Sequence, residues 1–249
     1  MRRPNQKRDT SSLLMGHHSI IEAINSDKQI DKVLVQRGMK GDLFNELFQL
    51  IKDHKIAYSY VPVEKLNRIT RKNHQGVLAF ISPITFKELD ELVFSLFESG
   101  VTPKLLMLDR VSDVRNFGAI ARSAECFGFH GIVVPFKGSA QISEDAVKTS
   151  SGALMNIDVC KVNDLVYSTK YLQQSGFQVV AISEKTKEPL SKIDFSTPTC
   201  LVMGSEEDGI YDELFETCDR KAAIPMSGKT ASLNVSVSAG IAMYESLRD

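Results

Sequence analysis

Short, almost uninterrupted apolar segments recur between residues 104 and 249 and alternate with segments whose apolar residues have helical spacing. The apolar segments are KLLMLD, GIVVPF, FQVVAIS, TCLVMG and KAAIPM. Strands of this composition are typical of a parallel sheet that is buried on both faces. Their alternation with helices predicts repeated βαβ units. We therefore predict an α/β fold in which residues 104–249 form a parallel-sheet domain.

A shorter α/β alternation precedes this domain and predicts a separate small unit over residues 13–82. HHSIIEAIN, DLFNELFQLIKDH and VEKLNRIT are predicted helices, and DKVLVQ, IAYSYV and GVLAFIS are predicted strands. Residues 83–103 contain the amphipathic segment FKELDELVFSLFES and are predicted to be a linker and connecting helix. Residues 1–12 are predicted to be a flexible basic tail.

Composition excludes several protein classes. Apolar residues make up 43% of the chain and charged residues 24%, which is ordinary for a globular protein. There is no apolar run of about 18 residues, and no apolar run follows the charged N-terminus, so we expect a cytoplasmic protein without membrane association. The four cysteines form no C-x-x-C pair and are expected to be reduced, mostly buried thiols that hold no metal.

Charge is divided unevenly between the two halves. Residues 1–82 hold 14 Lys and Arg against 8 Asp and Glu, a net charge of +6, whereas residues 83–249 carry −7. A basic half suggests a polyanionic partner such as a nucleic acid. Random variation of surface charge is the alternative explanation.

The unusual residues of the C-terminal half follow three of its predicted strands. RVSDVRNFGAIAR follows KLLMLD, SEEDG follows TCLVMG, and SGKTASLNVS follows KAAIPM. Ligands of doubly wound sheets bind beyond the carboxyl ends of the strands, so these loops are the candidate site. The chain has no G-x-G-x-x-G, G-x-x-x-x-G-K-[ST] or G-x-S-x-G motif, which disfavours the common dinucleotide, P-loop and hydrolase sites.

The three loops, in this order, resemble the signature motifs of the SpoU (TrmH-like) family of RNA ribose 2′-O-methyltransferases. The motifs span residues 108–128, 201–219 and 224–245. In addition, GHHSIIEAI and NHQGVLAF resemble the RNA-binding domain, similar to ribosomal protein L30e, of the bacterial subgroup that methylates a guanosine in 23S ribosomal RNA. One departure is Val114, where the family usually has proline.

The resemblance implies a fold and a reaction that the residue pattern does not predict. It implies a trefoil knot in the C-terminal domain and a homodimer. It also implies that S-adenosyl-L-methionine donates a methyl group to a ribose of RNA, that no metal ion takes part, and that DNA is not a partner. The general rarity of knots in proteins argues against the first of these. The alternatives are a tRNA ribose methyltransferase, a catalytically silent RNA-binding ribosome-assembly factor, and an unrelated nucleotide-binding α/β domain.

Matching the motifs residue by residue implies the roles of individual side chains. The implied catalytic residues are Arg122, Asn116, Glu206, Ser232 and Asn234. The implied cofactor-binding residues are Gly204, Ile224, Met226 and Leu233. Asn116 and Ser232 are equally suited to cap the helices that follow them, and Gly204 could serve a plain turn. The segment TSSGA at 149–153 matches another part of the family and is expected near the knot.

Cations and histidines of the N-terminal half are candidates for RNA contact. They are His17, His18, Arg68, Arg71, Lys72 and His74. Cationic side chains in loops suit phosphate contacts, which position RNA without reading its sequence. For each of them, a solvated surface residue without a partner is the alternative.

Overall fold

The computed structural model describes residues 13–230 and 232–248, which form two compact units. The first unit comprises the described residues up to Pro83 together with Ile142–Glu144, and the remaining described residues form the second. The predicted tail, residues 1–12, lies outside the described residues.

A four-stranded mixed sheet forms the centre of the first unit, in the order β1-β4-β2-β3. Its strands are β1 (Leu13–Met15), β2 (Ile30–Gln36), β3 (Tyr58–Val61) and β4 (Val77–Ile81). The three predicted helices are present as α1 (His17–Asn25), α2 (Asp42–Asp53) and α3 (Val63–Ile69). Fully buried side chains such as Ile20, Val33, Leu47 and Ile51 join α1 and α2 to the sheet; each such side chain stabilises the fold by roughly 1.5–3 kcal/mol.

The second unit is built on a seven-stranded sheet whose strand pairs are all parallel, as predicted. The strand order is β11-β9-β10-β6-β7-β8-β5. The strands are β5 (Phe86–Lys87), β6 (Lys104–Leu108), β7 (Gly131–Pro135), β8 (Asp158–Val162), β9 (Gln178–Ile182), β10 (Thr199–Met203) and β11 (Arg220–Ala222). The α/β class and the parallel sheet are therefore confirmed, whereas the knot and the likeness to ribosomal protein L30e stay predictions.

Helices lie between most of these strands in the chain. They are α4 (Leu89–Glu98), α5 (Val114–Cys126), α6 (Glu144–Thr149), α7 (Leu165–Gln174), α8 (Asp212–Thr217) and α9 (Val235–Glu245), with short 3-10 turns at Ala153–Met155 and Leu190–Lys192. None of the helices in residues 13–230 and 232–248 combines the length and the hydropathy that crossing a bilayer requires.

Two parts of the second unit differ from the expectation. The sequence pattern misses β5 and β8, because β5 has two residues and β8 (DVCKV) mixes charged with apolar side chains. In the segment predicted to connect the domains, α4 packs into the second unit, where Leu89, Leu92 and Val93 join its core.

The cysteines give the first testable prediction. Cys160, Cys200 and Cys218 are buried and Cys126 is exposed. Burial raises the pKa of the Cys160 and Cys218 thiols to about 12 each and also raises that of Cys200, and the thiolate is the reactive form. We expect one fast and three slow thiols with N-ethylmaleimide in the native protein. Mass spectrometry after a short exposure to the reagent measures the labelled fraction of each cysteine, with the urea-unfolded protein as the control. Labelling of Cys160 as fast as that of Cys126 in the native protein would contradict the prediction.

Candidate active site

Three loops meet at one edge of the seven-stranded sheet. They follow β6, β10 and β11, at residues 109–113, at residues 204–211, and at residues 223–230 with 232–234. β6 and β10 are hydrogen-bonded neighbours, and β9 separates β10 from β11. Because the strands are parallel, their carboxyl ends lie on the same side, where ligands of such sheets bind.

One side chain from each loop region contributes to a hydrogen-bonded cluster of Asn116, Glu206 and Asn234. The Nδ2 atoms of Asn116 and Asn234 donate to the same oxygen, Glu206 Oε1, at 2.6 and 2.7 Å. Asn234 Nδ2 also lies 3.1 Å from Asn116 Oδ1. Hydrogen bonds to a carboxylate are shorter and stronger than those between neutral groups. The structure thus joins the three sequence motifs at a single carboxylate.

Asn116 reaches this cluster because another residue caps its helix. Asp113 is the N-cap of α5, and its Oδ1 accepts hydrogen bonds from the backbone N–H groups of Arg115 and Asn116, both at 2.9 Å. The alternative role of Asn116 as the cap of this helix is therefore wrong, and its amide is free to bind Glu206. Val114 occupies the first helical position, where proline and non-proline residues both fit because no intrahelical partner for the N–H is required.

The cap of α9 is Asn234, not Ser232. Asn234 Oδ1 accepts from the backbone N–H of Ser236 at 2.9 Å and from its hydroxyl at 2.5 Å. The same side chain therefore caps the helix with its oxygen and binds Glu206 with its nitrogen. Asn234 therefore has a structural role that its sequence position did not suggest, because the helix begins at Val235.

An ion pair between a buried aspartate and a partly exposed arginine, which the sequence pattern does not reveal, fixes the first loop to the second. Asp109 is 1% exposed and receives hydrogen bonds from Arg110 Nε at 2.9 Å, Arg110 Nη2 at 3.0 Å and the Tyr211 N–H at 2.9 Å. Arg110 also donates to Asp208 and to the Gly209 carbonyl. The bonds with Asp109 raise the pKa of the Arg110 guanidinium. Both residues stand in the first motif, but their partners are about 100 positions away.

Gly204 is required by the second loop itself. A Cβ atom there would lie 2.1 Å from the Gly209 carbonyl carbon and 2.2 Å from the Ile210 nitrogen. The loop folds back because Ser205 and Gly209 exchange backbone hydrogen bonds at 3.2 and 3.0 Å. The turn alternative for Gly204 is thus supported by close approach of the chain to itself, and its role in cofactor binding stays a prediction.

A cavity of about 250 Å³ lies between the second and third loops. Its lining includes the four expected cofactor-binding residues together with Ser232 and Glu206. The lining residues are Ile182, Ser183, Glu184, Met203, Gly204, Ser205, Glu206, Glu207, Asp208, Gly209, Ile210, Ile224, Met226, Ser232, Leu233, Val235 and Ser238. Four serines and four carboxylates stand beside seven apolar side chains, so the cavity offers both hydrogen-bonding groups and apolar surface to a small organic ligand.

A second cavity, of about 310 Å³, adjoins the first. It is lined by Arg110, Val111, Ser112, Asp113, Asn116, Gly138, Ser205, Glu206, Glu207, Asp208 and Val235. Glu206 lines both cavities, so the Asn116–Glu206–Asn234 cluster lies where a ligand of one cavity would meet a ligand of the other. Within residues 13–230 and 232–248, no group of three or more His, Cys, Asp or Glu side chains is placed to hold a metal ion.

Arg122 is not brought into this cluster. It is exposed on α5 and lines neither of the two cavities. Six residues separate it from Asn116, which places the two side chains about 120° apart around the helix. The segment TSSGA packs on the same helix, because a Cβ on Gly118 would lie 2.7 Å from Thr149 Cβ.

The first unit places the six expected RNA-binding residues in two environments. His17 and His74 are buried, at 7% and 8% exposure. His74 Nε2 bonds Asn67 Oδ1 at 2.9 Å, and its Nδ1 accepts from the Gly76 N–H at 3.0 Å, so its ring is held within the fold. Their burial argues against direct contact of either ring with RNA in this conformation, and their role stays a prediction. The four exposed residues are His18, Arg68, Arg71 and Lys72.

Comparisons with known families match both units. Residues 103–244 match the SpoU rRNA Methylase family. Residues 13–87 match the RNA 2′-O ribose methyltransferase substrate-binding family. The Bacillus subtilis (strain 168) protein YacO, named as a member of the TrmH family of tRNA/rRNA methyltransferases, is 34% identical over 236 residues, which are 94% of each chain.

Solved structures show the same architecture. The AdoMet-bound rRNA methyltransferase from Sinorhizobium meliloti has a TM-score of 0.58 at 24% identity, covering 94% of this chain and 85% of that one. The TrmH/SpoU tRNA modifying enzyme of A. aeolicus has a TM-score of 0.54 at 30% identity, covering 64% of this chain and 82% of that one.

Proposed function

Because this chain belongs to the SpoU family of RNA methyltransferases, we propose that it transfers a methyl group from S-adenosyl-L-methionine to the ribose 2′-hydroxyl of a guanosine in 23S ribosomal RNA. The observation that carries the proposal is the cluster of Asn116, Glu206 and Asn234 at the wall shared by two cavities. A methyl transfer needs a donor and an acceptor held in line, and two adjoining cavities supply two binding places.

The first cavity fits the methyl donor. Ile224, Met226 and Leu233 offer apolar surface for an adenine ring, while backbone groups around Gly204 and the polar Ser183 and Glu184 suit the ribose and the amino-acid part. When bound, S-adenosyl-L-methionine supplies a methyl group already activated by a sulfonium. The residues beside it would hold the acceptor oxygen in line with that methyl group, and a basic group such as Glu206 or water would take the hydroxyl proton.

The cluster would hold the acceptor ribose in the second cavity. Both asparagine amides donate to Glu206 Oε1, and within the described residues Glu206 Oε2 accepts no hydrogen bond. A 2′-hydroxyl can therefore donate to Oε2, which orients the oxygen and favours loss of its proton. Ser232, which lines the first cavity, would contribute a hydroxyl near the transferring group.

Transfer of label tests this function directly. The purified chain is incubated with tritiated S-adenosyl-L-methionine and an unmodified 23S ribosomal RNA transcript, and the RNA is then hydrolysed with alkali. We expect the label in an alkali-resistant dinucleotide, because a 2′-O-methyl group blocks cleavage at that linkage. Binding of the cofactor by calorimetry without transfer to any RNA would favour the silent assembly factor. Transfer to tRNA transcripts alone would favour the tRNA enzyme, for which the 30% identity to the A. aeolicus tRNA modifying enzyme argues.

The first unit, residues 13–82, is proposed to bind the RNA, with residues 104–249 as the catalytic domain. Its exposed His18, Arg68, Arg71 and Lys72 would contact phosphates. DNA is excluded as an acceptor because it lacks the 2′-hydroxyl. We propose a cytoplasmic location, in which the buried free thiols would stay reduced.

We further propose that the protein is a homodimer through α9. This helix exposes Val237, Ile241 and Tyr244, which are 49%, 38% and 58% accessible and share one face. α9 packs against α5, where the Phe127 ring lies 6.2 Å from that of Tyr244. Arg122 is exposed on α5. A second copy on this face would cover the apolar side chains and offer Arg122 a partner's site.

Mixed dimers test the role of Arg122. Arg122→Ala and Asn234→Ala homodimers are each expected to bind S-adenosyl-L-methionine and to lose most transfer. If Arg122 acts in the partner's site, a heterodimer of the two variants, purified by two tags, recovers about half of the wild-type activity, since one of its two equivalent sites is intact. No recovery would place Arg122 in its own chain's site. Full activity of Arg122→Ala, or a monomer by light scattering, would contradict the proposal.

A further inference from the structure

One end of the four-stranded sheet in the first unit collects four chain segments. β1, β2 and β3 run in one direction and β4 in the opposite one. The carboxyl ends of the first three strands therefore lie beside the start of β4. His18 follows β1, residues 37–41 follow β2, and residues 71–76 precede β4.

These loops touch one another. A Cβ built on Gly76 would meet Met39 Cε at 1.8 Å, and one on Gly16 would lie 3.1 Å from Gln75 Oε1. The Gln36 N–H donates to the Gly76 carbonyl at 2.8 Å. The loops thus form one continuous surface, which we call the loop end of the sheet and define as residues 16–18, 36–41, 60–64 and 71–76.

Tyr60 stands at this end on the edge strand β3. Its register partner on β2 is Val35, one position before Gln36. The ring is 45% exposed, and within the described residues its hydroxyl makes no hydrogen bond. Tyr58 at 5.8 Å and Phe48 at 6.2 Å support the ring from the interior side. A partly exposed aromatic ring that neighbouring rings hold in place is the kind of group on which unpaired bases stack.

Charge at the loop end favours a polyanion. Arg37 and Lys40 are exposed and make no ion pair within residues 13–230 and 232–248. Arg37 directly follows β2, and its N–H donates to the carbonyl of Val61 at 3.0 Å, which places it beside the end of β3, the strand that carries Tyr60. Arg71 and Lys72 are exposed in the adjoining loop. The acidic side chains beside them are Asp42, at the start of α2, and Glu64, in α3.

We propose that Tyr60 is a stacking site for an unpaired base of the substrate RNA, with Arg37 and Lys40 contacting the flanking phosphates. The proposal rests on the proposed function for the identity of the polyanion. A single-stranded or looped segment is required, because bases inside a duplex do not expose their faces. The loop end would then favour RNA that has an unpaired nucleotide at this position, in addition to binding the phosphate backbone.

Binding of a 12-nucleotide single-stranded RNA that contains 2-aminopurine tests the proposal with the full-length chain. Tyr60→Leu keeps apolar packing on Phe48 but removes the ring, and we expect about tenfold weaker binding and loss of the stacking-dependent fluorescence quench. Tyr60→Phe is expected to bind within about twofold of wild type, since the ring remains. Arg37→Ala should lower the salt dependence of log Kd by about 0.7, while Tyr60→Leu leaves it unchanged.

The matched control is Tyr167→Leu, because Tyr167 is 74% exposed on α7 in the other unit. Equal weakening by Tyr167→Leu and Tyr60→Leu, or wild-type binding by Tyr60→Leu, overturns the proposal. A change in sedimentation of Tyr60→Leu without RNA also overturns it, because the ring would then belong to a protein interface. Methyl transfer at saturating RNA is scored separately: its absence in the wild-type chain counts against the proposed function and not against stacking.

Discussion

Glu206→Ala is expected to produce the largest loss of methyl transfer of any single substitution in the chain, about 10²–10³-fold in kcat. The carboxylate receives the amides of both Asn116 and Asn234 on one oxygen. Its removal leaves the two asparagine amides without their hydrogen-bond acceptor. It also removes Oε2, the atom proposed to accept the hydrogen bond from the ribose 2′-hydroxyl. Because side chains from all three loop regions meet at this group, the effect should exceed that of removing either asparagine.

Two further variants give this prediction its controls. Glu213→Ala removes an exposed carboxylate from the first turn of α8 and is expected to leave kcat unchanged. Glu206→Gln retains an oxygen that can accept from both amides but loses the charge, so it separates positioning from electrostatics. Rates are measured at saturating cofactor and RNA, with cofactor affinity from calorimetry. Wild-type kcat in Glu206→Ala would remove Glu206 from the site.

Gly204→Ala is expected to be the most damaging substitution for the fold of the site. Its Cβ would meet backbone atoms of Gly209 and Ile210 at 2.1–2.2 Å, and backbone cannot turn aside as a side chain can. We expect a loss of about 3 kcal/mol in the free energy of unfolding, the upper part of the range for overpacked sites. If the loop moves instead, the first cavity changes shape and cofactor affinity falls by at least about tenfold.

Gly228→Ala is the matched control, because a Cβ there meets no atom within 4 Å and its backbone conformation is open to any residue. Thermal unfolding and calorimetric titration with S-adenosyl-L-methionine are measured on both variants. For a unit of this size, 3 kcal/mol corresponds to a drop in Tm of roughly 6–12 °C. A Gly204→Ala protein with unchanged Tm and unchanged cofactor affinity would show that the loop lies elsewhere in solution.

The elements that could be predicted from sequence are those whose signal is local. Apolar runs such as KLLML and TCLVM predict buried parallel strands, and the helices His17–Asn25 and Asp42–Asp53 follow from the spacing of their apolar residues. The three motif loops could be selected because strand ends are the places where such sheets bind ligands. Asn116, Glu206 and Asn234 were implied only by the resemblance of those loops to the SpoU motifs. Strand β8 could not be predicted, because its mixture of charged and apolar side chains gives a weaker strand pattern.

The arrangement of the site depended on long-range packing. No local pattern marks Asp109 and Arg110 as site residues. In the folded chain, Asp109 binds the Tyr211 N–H and Arg110 binds Asp208, each about 100 residues later. The choice of Asp113 and Asn234 as helix caps depended on where each helix begins in the folded chain.

The sequence alone thus determined the class of the sheet, the loops that carry the chemistry and the family to which they belong. Only the tertiary structure decided that two asparagine amides share the carboxylate of Glu206, that Gly204 is required by its own turn, and that His17 and His74 are interior. The physical reason is that strand and helix patterns arise from neighbours in the chain, whereas burial and hydrogen-bond partners depend on which distant segments the sheet order brings together.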